Sequence, residues 1–161
     1  MRYLSGSEEK KALEYLTKVT QIALSSTCER SRCGSIIVQN DEIIGSGFNS
    51  PPQNKEESRR CSDPKESYHK KVKDTTCCVH AEQRAIIDAL RNNSNQLSSS
   101  RLYFIRVDED GIPLHAGKPY CTICSKMALD VGIEEFVLWH EDGICVYDTN
   151  EYNTLSFQYS E

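Results

Sequence analysis

Hydrophobic residues recur at helical spacing between positions 13 and 24, the first regular pattern along the chain. Residues three and four apart share one face of a helix, so this spacing predicts an amphipathic helix that covers a core. The polar run Ser7-Glu8-Glu9-Lys10 is typical of a helix start, and Ser25-Ser26-Thr27 ends the pattern. The apolar positions are Leu13, Leu16, Val19, Thr20, Ala23 and Leu24.

Two short apolar runs follow, at 33–38 and 42–48. The residues between them, Gln39-Asn40-Asp41, are typical of a turn, so the two runs predict a β-hairpin. The prolines of Asn49-Ser50-Pro51-Pro52 end the second strand.

Helical and strand patterns alternate in the second half of the chain. Helices are predicted at 80–91 and 121–131, and strands at 101–107 and 136–140. The order strand, helix, strand implies that these two strands pair in parallel, which is typical of the α/β class. A tight reversal at 141–143 leads into one more strand at 144–147, and a short helix is predicted within 148–159.

Composition fits one globular domain spanning residues 1–161, interrupted by a charged insertion at about 53–78. The net charge of −5 gives no general attraction to a polyanion, which argues against a long nucleic acid partner. No apolar run is long enough to span a membrane, and the first residues lack the apolar stretch of a signal peptide. We therefore expect no membrane partner and a cytoplasmic location.

Eight cysteines in a chain of this length allow either a disulfide framework or metal binding. The lack of a secretory signal and the Cys-x-x-Cys spacing of Cys121 and Cys124 favour metal.

Four residues at the starts of the two later helices form the main chemical motif. His80, Cys121 and Cys124 offer one nitrogen and two sulfurs, a donor set that Zn²⁺ prefers, and leave one of its four positions for water. The pKa of such a water falls to about 7. Glu82, two residues after His80, is predicted to contact this water as the catalytic acid and base without binding the metal. A purely structural zinc, closed by a fourth side chain such as Cys78, is the alternative.

The pattern His-x-Glu followed by Cys-x-x-Cys is the signature of zinc deaminases that act on cytosine or adenine. From about Leu13 to Trp139 the chain resembles the cytidine deaminase superfamily, and more closely its deoxycytidylate (dCMP) deaminase branch. One departure is visible, because Tyr120 separates Pro119 from Cys121 where the family usually has Pro directly before Cys. This insertion changes the wall of the pocket.

The resemblance implies a three-layer fold, a mixed five-stranded sheet flanked by helices. It implies a hydrolytic deaminase that converts a cytosine nucleotide or nucleoside to the uracil form and releases ammonia, and it implies a homo-oligomer. Asn49, in Gly47-Phe48-Asn49, would contact the substrate sugar, although it could simply close a turn. The backbone N–H of Ala81, in the first turn of the helix, is a candidate donor to the pyrimidine carbonyl. The last strand is antiparallel in nucleoside deaminases and parallel in the dCMP branch, and the reversal at 141–143 conflicts with the latter.

The charged insertion contains cysteine and histidine, and cysteine is uncommon in exposed loops. We therefore expect a second, structural zinc held by Cys28, Cys61, His69 and Cys77, with Cys78 able to replace Cys77. Reduced thiols without metal are the alternative. The insertion is also locally basic, and Lys71 and Lys73 are weak candidates to hold a substrate phosphate.

Two other functions stay open from the sequence. One is a deaminase acting on a base in RNA or DNA, which must extrude that base or use a single strand. The other is a zinc-ordered binding module without chemistry, which would have no use for the carboxylate of Glu82.

Overall fold

The computed structural model describes residues 1–160 as one mixed sheet with helices on both faces. The strands are β1 (Arg2–Tyr3), β2 (Arg32–Gln39), β3 (Glu42–Phe48), β4 (Arg101–Val107), β5 (Pro113–Leu114), β6 (Glu135–His140) and β7 (Gly143–Asp148). The α-helices are α1 (Gly6–Ala23), α2 (Ala81–Asn92), α3 (Thr122–Val131) and α4 (Thr149–Phe157).

The sheet has the strand order β1-β7-β6-β4-β2-β3, with β5 added beside β4. Strands β4 and β6 pair in parallel, as the alternation of strand and helix predicted. The five predicted strands are present as β2, β3, β4, β6 and β7. The structure has two further strands, β1 and β5, which contain two residues each and were not predicted. The last long strand, β7, is antiparallel to β6, as the reversal at 141–143 predicted.

The hairpin of β2 and β3 closes through a two-residue loop, Asn40-Asp41, at the position predicted for the turn. Both residues have positive φ, 48° and 67°, which a tight hairpin turn of this length requires. Asn and Asp adopt this conformation more readily than most residues, which explains why the turn forms here.

Two apolar layers lie on opposite faces of the sheet because neighbouring strand residues point to opposite sides. On β4, Tyr103 and Ile105 pack towards α1, whereas Leu102 packs towards α2 and α3. The predicted three-layer architecture is therefore confirmed.

The buried face of α1 differs from the predicted one. Ala12 and Tyr15 are buried, whereas Leu13 and Leu24 are about 40% exposed (39% and 40%). Leu16, Val19 and Ala23 are buried as predicted. The buried stripe is therefore rotated about the helix axis relative to the apolar pattern, because Tyr15 packs against Tyr103 with ring centroids 5.2 Å apart.

Helix α2 lies unusually close to β3, because two glycines on that strand leave room for it. A Cβ atom at Gly47 would lie 2.5 Å from the carbonyl oxygen of Ala81, and one at Gly45 would lie 2.4 Å from that of Ala85. Real Cβ atoms do not approach backbone so closely, so these glycines set the position of the start of α2.

No helix within residues 1–160 combines the length and the apolar character needed to cross a membrane.

Candidate metal centre and active site

The start of α2 carries the first two residues of the predicted motif. His80 precedes the helix in an extended conformation, and its backbone N–H donates to the Oε1 atom of Gln83 at 2.9 Å. Glu82 lies in the first helical turn and is only 6% exposed. The free N–H groups of this turn and the positive end of the helix dipole favour negative charge at this position.

The start of α3 carries the two cysteines. Cys121 caps the helix, and its Sγ atom accepts a hydrogen bond from the backbone N–H of Cys124 at 3.3 Å. Both cysteines are buried. Because α2 and α3 pack on the same face of the sheet, their first turns meet there.

Three donor atoms converge where the two helices meet. The Nδ1 atom of His80 lies 3.3 Å from the Sγ atom of Cys121 and 3.2 Å from that of Cys124. The two Sγ atoms are 2.7 Å apart. One imidazole nitrogen and two sulfurs in a compact, buried group fit the donor chemistry of zinc, so His80, Cys121 and Cys124 are positioned to hold this ion.

The ionisable groups of this cluster influence one another strongly. Hydrogen bonds from Cys124 and His80 lower the pKa of the Cys121 thiol to about 5, which makes its thiolate available as a ligand. The hydrogen bond to Cys121 raises the pKa of His80 to about 9. Burial, together with the nearby Cys121 thiolate, raises the pKa of Glu82 to about 7. A carboxyl group with such a pKa can both accept and donate a proton near neutral pH.

A cleft of about 240 Å³ opens above this cluster, with His80, Ala81 and Glu82 in its lining. Asn49, predicted to contact a sugar, also lines the cleft but is 8% exposed. Its Oδ1 atom accepts hydrogen bonds from Ser26 Oγ and Cys33 N–H, and its Nδ2 atom donates to the carbonyl oxygen of Ser31. Asn49 therefore anchors the segment before β2, and one of its N–H groups has no partner within residues 1–160.

Three of the residues expected to form a second zinc site lie at one side of the same cleft. Cys28, Cys61 and Cys77 all line it, as does Cys78. The Sγ atoms of Cys61, Cys77 and Cys78 lie within 4.8 Å of one another. The Sγ atom of Cys28 lies outside this group. Burial, and after it the neighbouring Cys28 thiol, raises the pKa of the Cys78 thiol.

His69 does not join this group of thiols. It is exposed, and its Nδ1 atom accepts a hydrogen bond from the backbone N–H of Lys71 at 3.2 Å. Lys71 and Lys73 are also absent from the cleft lining, where Arg30, Arg60 and Lys65 lie instead.

Sequence reasoning missed Phe104 of β4 and Arg30, which precedes β2, as residues of the cleft. Phe104 could have been found from strand alternation, because it shares the sheet face of Leu102 and hence that of α2 and α3. Arg30 lies in an irregular segment, and no periodic signal in the sequence points to it.

The matches to known proteins agree with this site. Residues 8–140 match the family model described as "Cytidine and deoxycytidylate deaminase zinc-binding region". The deoxycytidylate deaminase of Mycobacterium phage D29 is 29% identical over 129 residues, covering 76% of this chain and 89% of that protein. The deoxycytidylate deaminase of Schizosaccharomyces pombe is 27% identical over 128 residues, covering 76% of this chain.

The chain spans only about a third of the length of the fission yeast relative (35%). Among solved structures, dCMP deaminase from the cyanophage S-TIM5, in complex with dCMP and dUMP, superposes with a TM-score of 0.55 at 22% identity. This match covers 83% of this chain and 82% of the phage chain, and it supports the fold. With the family match extending over most of its residues, this chain belongs to the cytidine and deoxycytidylate deaminase family.

Proposed function

We propose that this protein is a zinc-dependent hydrolytic deaminase of a cytosine mononucleotide, with dCMP as the first candidate substrate. The observation that carries the proposal is the buried carboxyl group of Glu82 beside the converging donors of His80, Cys121 and Cys124. A purely structural metal site gains nothing from a buried, ionisable carboxyl group, which is costly to desolvate. The relatives named deoxycytidylate deaminase support the choice of substrate.

Glu82 moves the protons of the reaction. It accepts a proton from the attacking water and donates it to the ring nitrogen N3. It then accepts the remaining proton of that water from the new hydroxyl group on C4 and donates it to the departing amino group. A C4–O bond forms and the C4–N bond breaks, so cytosine and water give uracil and ammonia. Zinc, when bound, would supply hydroxide near neutral pH by lowering the pKa of water.

Asn49 and Ala81 are proposed to orient the substrate. One N–H group of the Asn49 side chain has no hydrogen-bond partner in the described part of the chain and would donate to the sugar. The other hydrogen bonds of its amide hold the side chain in place. The backbone N–H of Ala81, in the first turn of α2, would donate to the pyrimidine carbonyl.

Arg30, Arg60 and Lys65 are proposed to hold the substrate phosphate, because all three line the cleft. Arg30 is already fixed by its Nη2 donating to the carbonyl oxygen of Cys61 at 3.0 Å, which leaves its other N–H groups for an anion. In this proposal they take the role that the sequence suggested for Lys71 and Lys73.

The phosphate proposal is tested by comparing dCMP with deoxycytidine. Arg60→Ala should raise the KM for dCMP about tenfold and leave that for deoxycytidine unchanged, since a charge-assisted hydrogen bond contributes about 1.5–3 kcal/mol. Lys73→Ala, outside the cleft lining, is the matched control. Equal effects on nucleotide and nucleoside would contradict a phosphate contact.

A second, structural zinc is proposed at Cys28, Cys61, Cys77 and Cys78, with Cys78 in place of the expected His69. Four sulfur ligands are typical of a closed structural zinc site. Metal analysis should find two zinc ions per chain in the wild type. Cys61→Ser should lose one of them, and His69→Ala should keep both. One zinc per chain, unchanged by Cys61→Ser, would contradict the second site.

Action on a base in RNA or DNA is the alternative function. The net charge of −5 favours a small substrate. A polynucleotide enzyme should lose activity steeply with added salt, because its binding releases counterions. Raising the salt concentration from about 50 to about 200 mM weakens binding to a polyanion by orders of magnitude. An activity that changes little over this interval would favour a mononucleotide substrate.

We further infer a homo-oligomer and a reducing compartment such as the cytoplasm. Two large apolar side chains, Ile87 and Leu90, are exposed on α2 (37% and 45%), and covering them would favour association with a second copy. Six of the eight cysteines are proposed zinc ligands, Cys28, Cys61, Cys77, Cys78, Cys121 and Cys124, and such ligands must stay reduced, which suits a reducing environment. Sedimentation analysis tests the oligomer, and a monomer at every concentration would contradict it.

The activity itself is tested by incubating the zinc-loaded protein with cytidine, deoxycytidine, CMP, dCMP, dCTP, adenosine and guanine. Ammonia release should be fastest with dCMP. Release from none of them would support a binding module without chemistry.

A further inference from the structure

Two neighbouring cavities meet at the candidate catalytic carboxylate. The larger is the cleft of about 240 Å³, and the smaller, of about 40 Å³, extends towards β5, β6 and α4. Of the residues that the structure describes, only Glu82, Phe104 and Tyr120 line both cavities. A substrate whose reacting carbon reaches Glu82 must therefore come close to both aromatic rings.

Tyr120 is the residue by which this chain departs from the usual Pro-Cys sequence of its family. It lies between Pro119, which is buried, and the buried metal-ligand candidate Cys121. The Tyr120 side chain itself is 59% exposed, so much of its ring is available for contact. An exposed ring directly attached to a fixed backbone is well suited to meet a planar ligand.

The end of the chain contacts the segment that carries Tyr120. The rings of Tyr120 and Tyr159 have centroids 5.9 Å apart at an interplanar angle of 60°, within the range of favourable aromatic pairs. The Nζ atom of Lys118 donates to the carbonyl oxygen of Ser160 at 3.5 Å. Helix α4, which leads to this tail, is held to the sheet by Tyr152, whose ring stacks on that of Phe136 with centroids 4.1 Å apart.

We propose that Tyr120 is a specificity-determining residue that stacks on the pyrimidine base, and that Tyr159 is a positioning residue that orients the Tyr120 ring. The ligand class is a planar pyrimidine nucleotide, read by its π-face rather than by a hydrogen bond to the tyrosine hydroxyl. This inference rests on the proposed function, because it assumes that the cleft above Glu82 receives the base.

The first measurement is the affinity of zinc-loaded variants for dUMP by calorimetry, alongside kcat and KM for dCMP. Tyr120→Leu should weaken dUMP binding and raise KM about tenfold, with kcat changed much less, since stacking of a base on an aromatic side chain contributes about 1–3 kcal/mol. Tyr120→Phe keeps the ring and should stay within about twofold of wild type by the same argument. Wild-type affinity and KM in Tyr120→Leu would overturn the proposal.

A double-mutant cycle separates positioning from an independent structural effect. Tyr159→Leu should weaken dUMP binding about threefold, in line with the energy of an aromatic pair. In the Tyr120→Leu background the same substitution should have no further effect. A Tyr159→Leu effect of equal size in both backgrounds would overturn the positioning role.

Phe157→Leu is the matched control, because Phe157, the last residue of α4, is another exposed aromatic (65%) and lines neither cavity. Its affinity for dUMP should equal that of wild type. Tyr120→Leu could lose zinc, because Tyr120 is next to a metal-ligand candidate. In that case the dUMP affinity of Tyr159→Leu decides the proposal, since Tyr159 is at least 35 positions in sequence from every metal-ligand candidate.

Failure of the proposed function gives a different result from failure of this inference. A wild-type protein that binds dUMP but releases no ammonia from any cytosine compound would contradict the deaminase, and the stacking would still be judged from the affinities. A wild-type protein that does not bind dUMP would overturn the stacking.

Discussion

The Nδ1 atom of His80 lies 3.2 Å from the Sγ atom of Cys124, although 44 positions separate the two residues in the chain. The contact exists because α2 and α3 begin beside each other on one face of the sheet. Neither helix alone carries enough donors for zinc, so the metal would join two elements that are distant in sequence. Metal binding and the packing of these two helices should therefore depend on each other.

Replacing one ligand should remove this metal. Cys121→Ser should lose one zinc equivalent per chain and at least about 100-fold in ammonia release, because the metal contributes several kcal/mol to the reaction. Cys145→Ala, at a buried cysteine on β7 that belongs to neither cluster of converging donors, should keep its zinc. Atomic absorption on matched samples measures this, and full zinc content in Cys121→Ser would contradict the assigned ligand set.

The glycines of β3 should matter through the position of α2. In Gly47→Ala, the new Cβ would lie 2.5 Å from the carbonyl oxygen of Ala81, so the start of α2 must move. We expect a loss of about 1–3 kcal/mol in the free energy of unfolding, together with weaker zinc binding. Urea denaturation and metal titration measure the two effects.

Gly117→Ala is the control for this substitution, because a Cβ atom there meets no heavy atom within 4 Å. Its stability should stay close to that of wild type. An unchanged stability in Gly47→Ala would show that α2 does not depend on the close approach to β3.

The free energy of unfolding at acid pH should depend on Glu8. Two hydrogen bonds from Arg2, at 2.8 and 2.9 Å, and one from Arg101 at 3.1 Å lower the pKa of Glu8 to about 2. A carboxyl group whose pKa is lowered by folding stabilises the protein above its unfolded pKa of about 4.3, and this contribution is lost as the pH falls towards 2. The group is 43% exposed, so screening limits the contribution to about 1 kcal/mol or less.

Glu8→Gln should therefore lower the free energy of unfolding at pH 6 and bring the variant closer to wild type at pH 3. Glu14→Gln is the control, because Glu14 is exposed on the same helix and forms no ion pair within residues 1–160. A difference between wild type and Glu8→Gln that grows on acidification would contradict the assigned sign.

Much of the fold follows from local patterns in the sequence. The hairpin of β2 and β3 could be predicted because Asn40 and Asp41 suit a turn that needs positive φ. Strands β1 and β5 could not, because two residues carry no periodic pattern and these strands form only by pairing with β7 and β4. The rotation of α1 was missed for a similar reason, since the contact of Tyr15 with Tyr103 is made across the fold.

Some residues of the site could likewise be predicted from the sequence, and others could not. The spacing of His80, Cys121 and Cys124 reflects the chemistry of zinc, so the sequence alone pointed to these ligands. The contact between Tyr120 and Tyr159 has no sequence signal, because it depends on where α4 ends in space. His69 lies outside the cluster of Cys61, Cys77 and Cys78, and this too depends on the path of the chain between 53 and 80.

The most direct test of the central claim compares ammonia release from dCMP by wild type and Glu82→Gln at equal zinc content. The variant should keep its zinc, because Glu82 is not among the donors that converge on the metal position. Its fold should be at least as stable, since a buried ionisable group is replaced by a neutral one of similar size. General acid and base catalysis contributes about 100- to 10,000-fold, so we expect a loss of that size in kcat. Zinc-loaded Glu82→Gln with a rate close to that of wild type would contradict it.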